Sequence, residues 1–305
     1  MLTAFNNLLK TESAPITIYA TRTEVSGRSG LLADYPGAAA AYSLRLLDTD
    51  YTGSAIRVRR ASDNAEQDIG FDSNGDLDTT ALATFCSGTD GFVKVWYDQS
   101  GNGLDAEQTT TGAQPKVYDS VNGVIEDGSV GNEKPAVFFN GTTTSLLTSS
   151  VLISGAVGRS MFAVAKDTYT VNNATIISLT NSTTTSSGDF WIWTKEMAVR
   201  VNGNKVWASN PWNSQSINSI HLPSNGDVVD ISLYENGTIA TSTGESAATI
   251  NTMSTGVSEI GAYRQTGGYW WSGPIQEIVL YDSDQSSNRT GIETNINDYY
   301  NIYTP

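Results

Sequence analysis

The sequence predicts an all-β sandwich, and composition, apolar spacing and turn density carry that prediction. Thr, Ser, Asn and Gly are abundant, charged residues make up 16% of the chain and aromatic residues 10%, a mixture that suits strands joined by many polar turns. Apolar residues alternate with polar ones in short runs, and Gly- or Asn-containing turns separate the runs. The 305 residues exceed a usual domain, yet large β-sandwiches run to roughly 200–250 residues as one unit. The expected organisation is an N-terminal arm over 1–35, one sandwich domain over 36–305, and a short C-terminal helix closing it.

In the opening MLTAFNNLLK, Leu2, Phe5, Leu8 and Leu9 fall at helical intervals before Pro15. These four side chains read either as an attachment arm or as a cap on one end of the sandwich. Sheet begins at Ala38, and Ile56, Val58, Ile69 and Phe71 alternate with polar partners. Asp72-Ser-Asn-Gly-Asp supplies a turn, Leu77, Ala81, Leu82 and Phe85 have helical spacing, and Cys86 reads as a small buried hydrophobe. Phe92 to Tyr97 is an alternating strand that runs into the loop Asp98-Gln-Ser-Gly-Asn-Gly103. Further strands are expected at 135–140, 160–165, 175–179 and 190–193. Asn202-Gly203 after Met197–Val201, and Glu235-Asn-Gly237 after Val228–Tyr234, predict two hairpins. Ile275 to Tyr281 is a last strand that alternates less cleanly. Ile292, Ile296, Tyr299 and Tyr300 then mark an amphipathic helix with its cap near Asp284 or Ser286.

Charge narrows the partners. With 17 Lys and Arg against 32 Asp and Glu, the net charge is −15, which repels nucleic-acid phosphate and predicts no nucleic-acid binding. The single cysteine, Cys86, excludes an internal disulfide. Met1 to Lys10 lack the basic start and continuous apolar core of a secretory signal, and no stretch approaches the ~18–20 apolar residues of a membrane span. The expectation is synthesis in the cytoplasm without a signal peptide and without membrane insertion.

The chemistry-bearing side chains are few. His221 is the sole histidine and no Gly-x-Ser-x-Gly surrounds a serine, which removes a His-dependent triad, and no zinc set is readable. Asp72, Asn74 and Asp76 resemble the start of a calcium loop, but the sixth-position glycine and the distant acid are missing. Asp98, Gln99, Ser100 and Asn102 cluster oxygen atoms that either fix a turn through backbone amides or could hold calcium, the one cofactor considered. Glycoside cleavage needs two carboxyl groups roughly 5–5.5 Å or 6.5–9.5 Å apart, and Asp189, Glu196, Asp230 and Glu277 stand in or beside expected strands. Sugars stack on aromatic rings beside polar side chains. Trp207, Trp212 and Asn213 form one such stretch, and Tyr263, Tyr269 and Trp270 another. The alternative is that these rings face the core or a subunit interface, with Trp271 packing beneath the last helix.

Two resemblances attach to these motifs. AAAAYSLRLLDTDYTGSAIRVRRASDNAEQDIGF, LDTTALATFC and VKVWYDQSGNGLDAEQ resemble the start of the catalytic sandwich of fungal-type α-L-arabinofuranosidase B. The order WYDQSGNG, Gln114-Pro115, KPAVFFNG and IQEIVLYDSDQSSNRTGIETNINDYYNIY is similar to laminin-G-like modules in structural proteins of tailed bacteriophages. Together they imply a concanavalin A/laminin-G-like jelly roll. The second implies a non-enzymatic virion protein, a capsid decoration or head fibre or a receptor-binding tail adhesin. Such a protein would sit on the virion surface as a homo-oligomer, with other virion proteins and host-surface or environmental glycans as partners. The first implies the alternative, a glycoside hydrolase. Arabinofuranosidases of that type carry adjacent cysteines in the substrate pocket and an acidic nucleophile in the middle portion. This chain has Cys86 alone and departs from that pattern in its middle, so the expectation is binding without catalysis.

Overall fold

The computed structural model describes residues 30–168, 174–179, 191–193, 199–201, 203–207, 212–263 and 269–305, with the three short strands between 191 and 207 described by backbone alone. Leu2, Phe5, Leu8 and Leu9 lie outside the described residues. A helical turn, α1 (Leu31–Asp34), leads into β1 (Ala38–Ser43). The hairpin of β2 (Ile56–Arg60) and β3 (Glu66–Ile69) follows. Next comes α2 (Thr79–Phe85), where the Asp78 side chain accepts from the Ala81 amide and so caps the helix. Then come β4 (Gly91–Trp96), β5 (Lys116–Asp119), β6 (Val137–Asn140), β7 (Leu146–Thr148) and β8 (Arg159–Ala165). The second half contributes β9 (Thr175–Ser178), β10 (Ser216–Leu222), β11 (Ser232–Glu235), β12 (Glu259–Ile260), β13 (Ser272–Tyr281) and α3 (Arg289–Tyr300).

Strand β13 is the hub. Along one edge it pairs with β8, from Ala165↔Ile275 to Ser160↔Tyr281. Along the other edge β6 takes its first half and β1 its second. Beyond β8 lie β10 and β11. From β6 the order continues through β5, β4 and β2 to β3. A further antiparallel run of β7, β12, β9 and Trp191–Trp193 joins β4 through the two-residue strand Ala106–Glu107.

The hub strand is buried throughout because both of its faces are covered. Ile275, Ile278 and Leu280 join the large core, together with Met161, Ala163, Tyr42 and Trp96. Val279 and Tyr281 point the other way, into a smaller core with Phe162, Val164, Ile292, Ile296 and Tyr300. All ten residues of β13 are buried. Two-sided burial replaces the alternation expected of a half-exposed strand, which is why its periodicity is unclear in the sequence.

Local chemistry explains most element ends. Asn236 (φ 48°) and Gly237 (φ 78°) are both left-handed, as a two-residue primed turn requires, and they connect β11 to Thr238–Ile239. Three boundaries differ from expectation. Val228–Asp230 is a 3-10 turn ahead of β11, held by reciprocal Asp227 and Asp230 capping bonds. α3 begins at Arg289; the Asp284 carboxylate instead accepts from the Ser286 amide and hydroxyl in the preceding turn. Leu31 and Leu32 are buried in the smaller core, so the body of the sandwich already includes this end of the expected arm.

Two buried polar networks lock α3 to the sheet. Arg45 grips Glu277 through Nε–Oε2 at 2.7 Å and Nη2–Oε1 at 2.9 Å, with both side chains at most 5% exposed. Ser43 Oγ donates to the same carboxylate, Arg45 Nη1 donates to Asn295, and the guanidinium lies 5.1 Å from the Tyr299 ring centroid. In the second network the Gln285 amide donates to Ser160 Oγ, which lies 3.0 Å from His221 Nδ1. His221 Nε2 lies 3.0 Å from Ser219 Oγ, which donates to Glu293. With Ser219 donating to a carboxylate, its oxygen accepts from Nε2–H, and Nδ1 is left to accept from Ser160.

Two predictions follow from these networks. Arg45→Met strands a buried carboxylate and is expected to destabilise the fold by about 3–5 kcal/mol, read as a lowered denaturation midpoint. Adding Glu277→Leu removes the stranded charge and recovers a large part of the loss; equal instability of the single and double variants would contradict this. Burial, helped by the Arg289 guanidinium, outweighs the upward pull of the Asp284 carboxylate and pushes the His221 imidazole down from 6.5 to about 4. The unfolded chain therefore takes up a proton before the native chain does. His221 contributes stability that is complete above pH 6.5 and declines toward pH 4, by about 3 kcal/mol. Glu293, pushed up by burial, contributes with the opposite sign. The isolated His221 effect is the difference between the native and His221→Gln stability curves, which should change between pH 6.5 and 4 and stay flat above that range.

Candidate functional site

In the loop after β4, both carboxylate oxygens of Asp98 are occupied by protein donors. Oδ1 accepts from the Ala41 and Ser100 amides at 2.8 and 2.9 Å. Oδ2 accepts from Ser100 Oγ at 2.7 Å and the Leu104 amide at 3.1 Å. Gln99 donates through Nε2 to the Ser43 and Arg45 carbonyls and accepts from the Leu47 amide. Asn102 Nδ2 donates to the carbonyls of Ala38 and Ala39. The loop thus satisfies backbone groups on the edge of β1 that faces away from β13, where no neighbouring strand does so. This arrangement is the structural turn, and it leaves no carboxylate oxygen of Asp98 to a cation. Among the described residues no group of three or more His, Cys, Asp or Glu could hold a metal ion.

The second cluster lies where β9 and β12 meet the start of β13. Thr175 is opposite Trp193 across one strand boundary and bridges Trp270 across the other. The Thr175 amide donates to the Tyr269 carbonyl. Tyr263 and Tyr269 stand 5.9 Å apart with rings tilted by 46°; Tyr263 is buried, while Tyr269 and Trp270 are half-buried. Gly261 makes this approach feasible. It is left-handed at φ +84°, and a Cβ there would stand 2.2 Å from the Phe139 ring. Its amide donates to the Ile176 carbonyl, and its carbonyl accepts from the Trp271 amide.

The sequence candidates divide accordingly. The register brings Tyr263, Tyr269 and Trp270 together at one end of the sandwich. Trp212 is fully buried and meets Trp271 edge to face at 5.7 Å, so its ring offers no face to a sugar. Asn213 beside it is exposed. Trp207 ends the strand Gly203–Trp207, opposite Ser242, rather than sitting in a loop. Of the carboxylates, Glu277 is consumed by Arg45, and Asp230 caps its own 3-10 turn. Asp189 and Glu196 lie outside the described residues, before and after the strand Trp191–Trp193. Sequence reasoning missed Glu259, a fully buried carboxylate one rung along, between Ser178 and Leu147. The one signal for it is a charged residue beside Ile260 in a two-residue strand.

Comparison with known proteins assigns a relationship. A model of the family described as alpha-L-arabinofuranosidase B, catalytic, matches residues 32–189. The chain is 30% identical over 189 residues to a probable alpha-L-arabinofuranosidase B of Aspergillus fumigatus, covering 58% of this chain and 37% of that protein. It is 31% identical over 192 residues to an alpha-L-arabinofuranosidase of Hypocrea jecorina, with the same coverage. The chain therefore spans little more than a third of the length of these relatives. Among solved structures, an arabinofuranosidase complexed with arabinofuranosyl-alpha-1,2-xylobiose superposes with TM-score 0.62 at 17% identity, covering 90% of this chain and 65% of that one. A mutant GH54 α-L-arabinofuranosidase soaked with 4-nitrophenyl α-L-arabinofuranoside gives 0.64 at 16%, with the same coverage. At such identity the likeness establishes the sandwich fold.

These matches overturn the expectation of a non-enzymatic phage protein. Of the two resemblances, the one to the arabinofuranosidase sandwich holds, and the matched relatives are glycoside hydrolases. The virion surface location, the capsid or tail partners and the decoration or adhesin role fall with the phage reading. The missing cysteine pair does not count against the family, because the relationship rests on residues 32–189.

For the Asp98 loop, Asp98→Ala would leave the Ala41, Ser100 and Leu104 amides without their acceptor, at a cost of more than about 3 kcal/mol. Thermal denaturation should record that loss, while a chelator or millimolar calcium leaves the midpoint of the native chain unchanged. A chelator-induced drop would instead assign the loop to a metal.

Proposed function

The chain belongs to the alpha-L-arabinofuranosidase B catalytic family, and on that premise we propose that it is a glycoside hydrolase releasing arabinofuranosyl groups from a neutral polysaccharide. Family membership is the observation that carries the reaction class. The aromatic end of the sandwich is the proposed seat of the sugar: the C–H faces of a furanose stack on Tyr269 and Trp270, and neighbouring hydroxyls and amides bond its oxygens. Net charge supports a neutral polymer, since −15 on the protein opposes an anionic one. Such a polymer is met outside the cell.

The reaction needs one carboxylic acid to protonate the departing glycosidic oxygen. A second carboxylate attacks the anomeric carbon or activates the water that replaces the leaving group. With Glu277 and Asp230 committed to structure, Asp189 and Glu196 are the remaining sequence candidates. They flank the strand whose Trp193 stands beside Thr175, which is the reason to put the chemistry here. Cysteine takes no part in this proposal, because Cys86 sits in the large core and burial pushes its thiol up to about 11.

The test is release of arabinose from arabinan and of 4-nitrophenol from 4-nitrophenyl α-L-arabinofuranoside. Glu196→Gln or Asp189→Asn should lower kcat by about 10²–10⁴-fold with the thermal midpoint unchanged, and Trp270→Ala should raise KM. A folded native chain that releases nothing from arabinose-bearing neutral substrates, or full activity in both acid variants, would contradict the proposal.

A further inference from the structure

Away from the aromatic end, the outer side of the β4–β5–β6 sheet carries two adjoining clefts. One, of about 550 Å³, is lined by Lys116, Asp119, Asn122, Glu126, Glu133 and Phe138 among others. The other, of about 710 Å³, lies against Thr79, Thr80, Thr84 and Ser87. Val124 and Glu126 line both, so the two form one groove that runs from α2 past the Gly123–Val124 strand to β6.

Its chemistry is specific in three respects. Phe138 faces away from the large core that holds its neighbours Val137 and Phe139, and with Val124 it gives the groove an apolar floor. The Thr79, Thr80 and Ser87 hydroxyls form one wall together with that of Thr84, which donates to the Thr80 carbonyl and so offers a ligand only its acceptor side. The ammonium of Lys116 lies between the Asp90 and Asp119 carboxylates at 2.8 and 3.2 Å, so one cation meets two anions, and with the Glu126 and Glu133 carboxylates the groove keeps a net negative charge. A floor that stacks C–H groups, a hydroxyl wall and acceptor carboxylates match a neutral polyol and repel phosphate or uronate. The groove also shares a strand with the aromatic end: two residues beyond Phe138, Asn140 pairs with Ser272, directly after Trp270 and Trp271.

We propose that this groove is a second carbohydrate-binding site that holds a neutral polysaccharide chain while the aromatic end acts on it. The choice of ligand rests on the proposed hydrolase reading, and the two ideas are tested separately. Retention of the full chain on insoluble debranched arabinan is measured beside turnover of 4-nitrophenyl α-L-arabinofuranoside, which is too small to reach both places. Phe138→Ala, and Thr84→Trp to plug the exposed hydroxyl wall, should each weaken retention about tenfold, the equivalent of about 1.4 kcal/mol, with small-substrate turnover and thermal midpoint unchanged. Polygalacturonate should fail to compete. Retention unaltered in both variants, or competition by polygalacturonate as strong as by arabinan, would overturn the groove. Absence of turnover with retention still lost in the variants would overturn the hydrolase reading and leave the groove standing.

Discussion

Burial of the Arg45 guanidinium against the Glu277 carboxylate is the constraint on which the rest of the arrangement depends. The pair sits where β1, β13 and α3 converge, and removing two full charges from water is tolerable only when each is fully bonded. Ser43, Asn295 and the rings of Tyr299 and Tyr300 complete that bonding. The pair therefore fixes β1 against the second half of β13 and seats α3 over the smaller core. The first half of β13 is left to β6, so one edge of the strand is divided between two partners.

From this junction the path to the proposed site is short. Asp98, Gln99 and Asn102 satisfy the remaining edge of β1, so the segment conspicuous in the sequence serves the scaffold and not the chemistry. The start of β13 carries Trp270 and Trp271 into register with Gly261 and Thr175. Trp271 goes inward onto Trp212, and Trp270 stays at the surface layer. Rigidity in the hub and aromatic exposure at its beginning are two ends of one strand.

What was legible in the sequence was local. The Asn236-Gly237 turn, the short helix with Ala81, Leu82 and Phe85, and the Ile292, Ile296, Tyr299 and Tyr300 stripe all depend on residues a few positions apart, and each lies where the pattern puts it. What was not legible depends on distant partners. Glu277 passed for a catalytic candidate because its counter-ion lies 232 residues away. Trp212 reads as a sugar platform because its burying partner, Trp271, lies 59 positions along the chain. The uniformly buried β13 shows no clean alternation because its opposite faces pack into two different cores. The reaction class is hard to read for a related reason: the departure at the cysteines is local, whereas agreement with the family extends across the scaffold of residues 32–189.

The central claim is that the aromatic end of this sandwich seats a furanose. The most direct measurement is a crystal structure of the Glu196→Gln chain soaked with an arabinofuranosyl oligosaccharide. The account predicts a sugar ring stacked on Tyr269 or Trp270 beside Thr175, with its glycosidic oxygen within reach of residue 196. A well-ordered oligosaccharide bound elsewhere with this end empty, or none bound at saturating concentration, would contradict it.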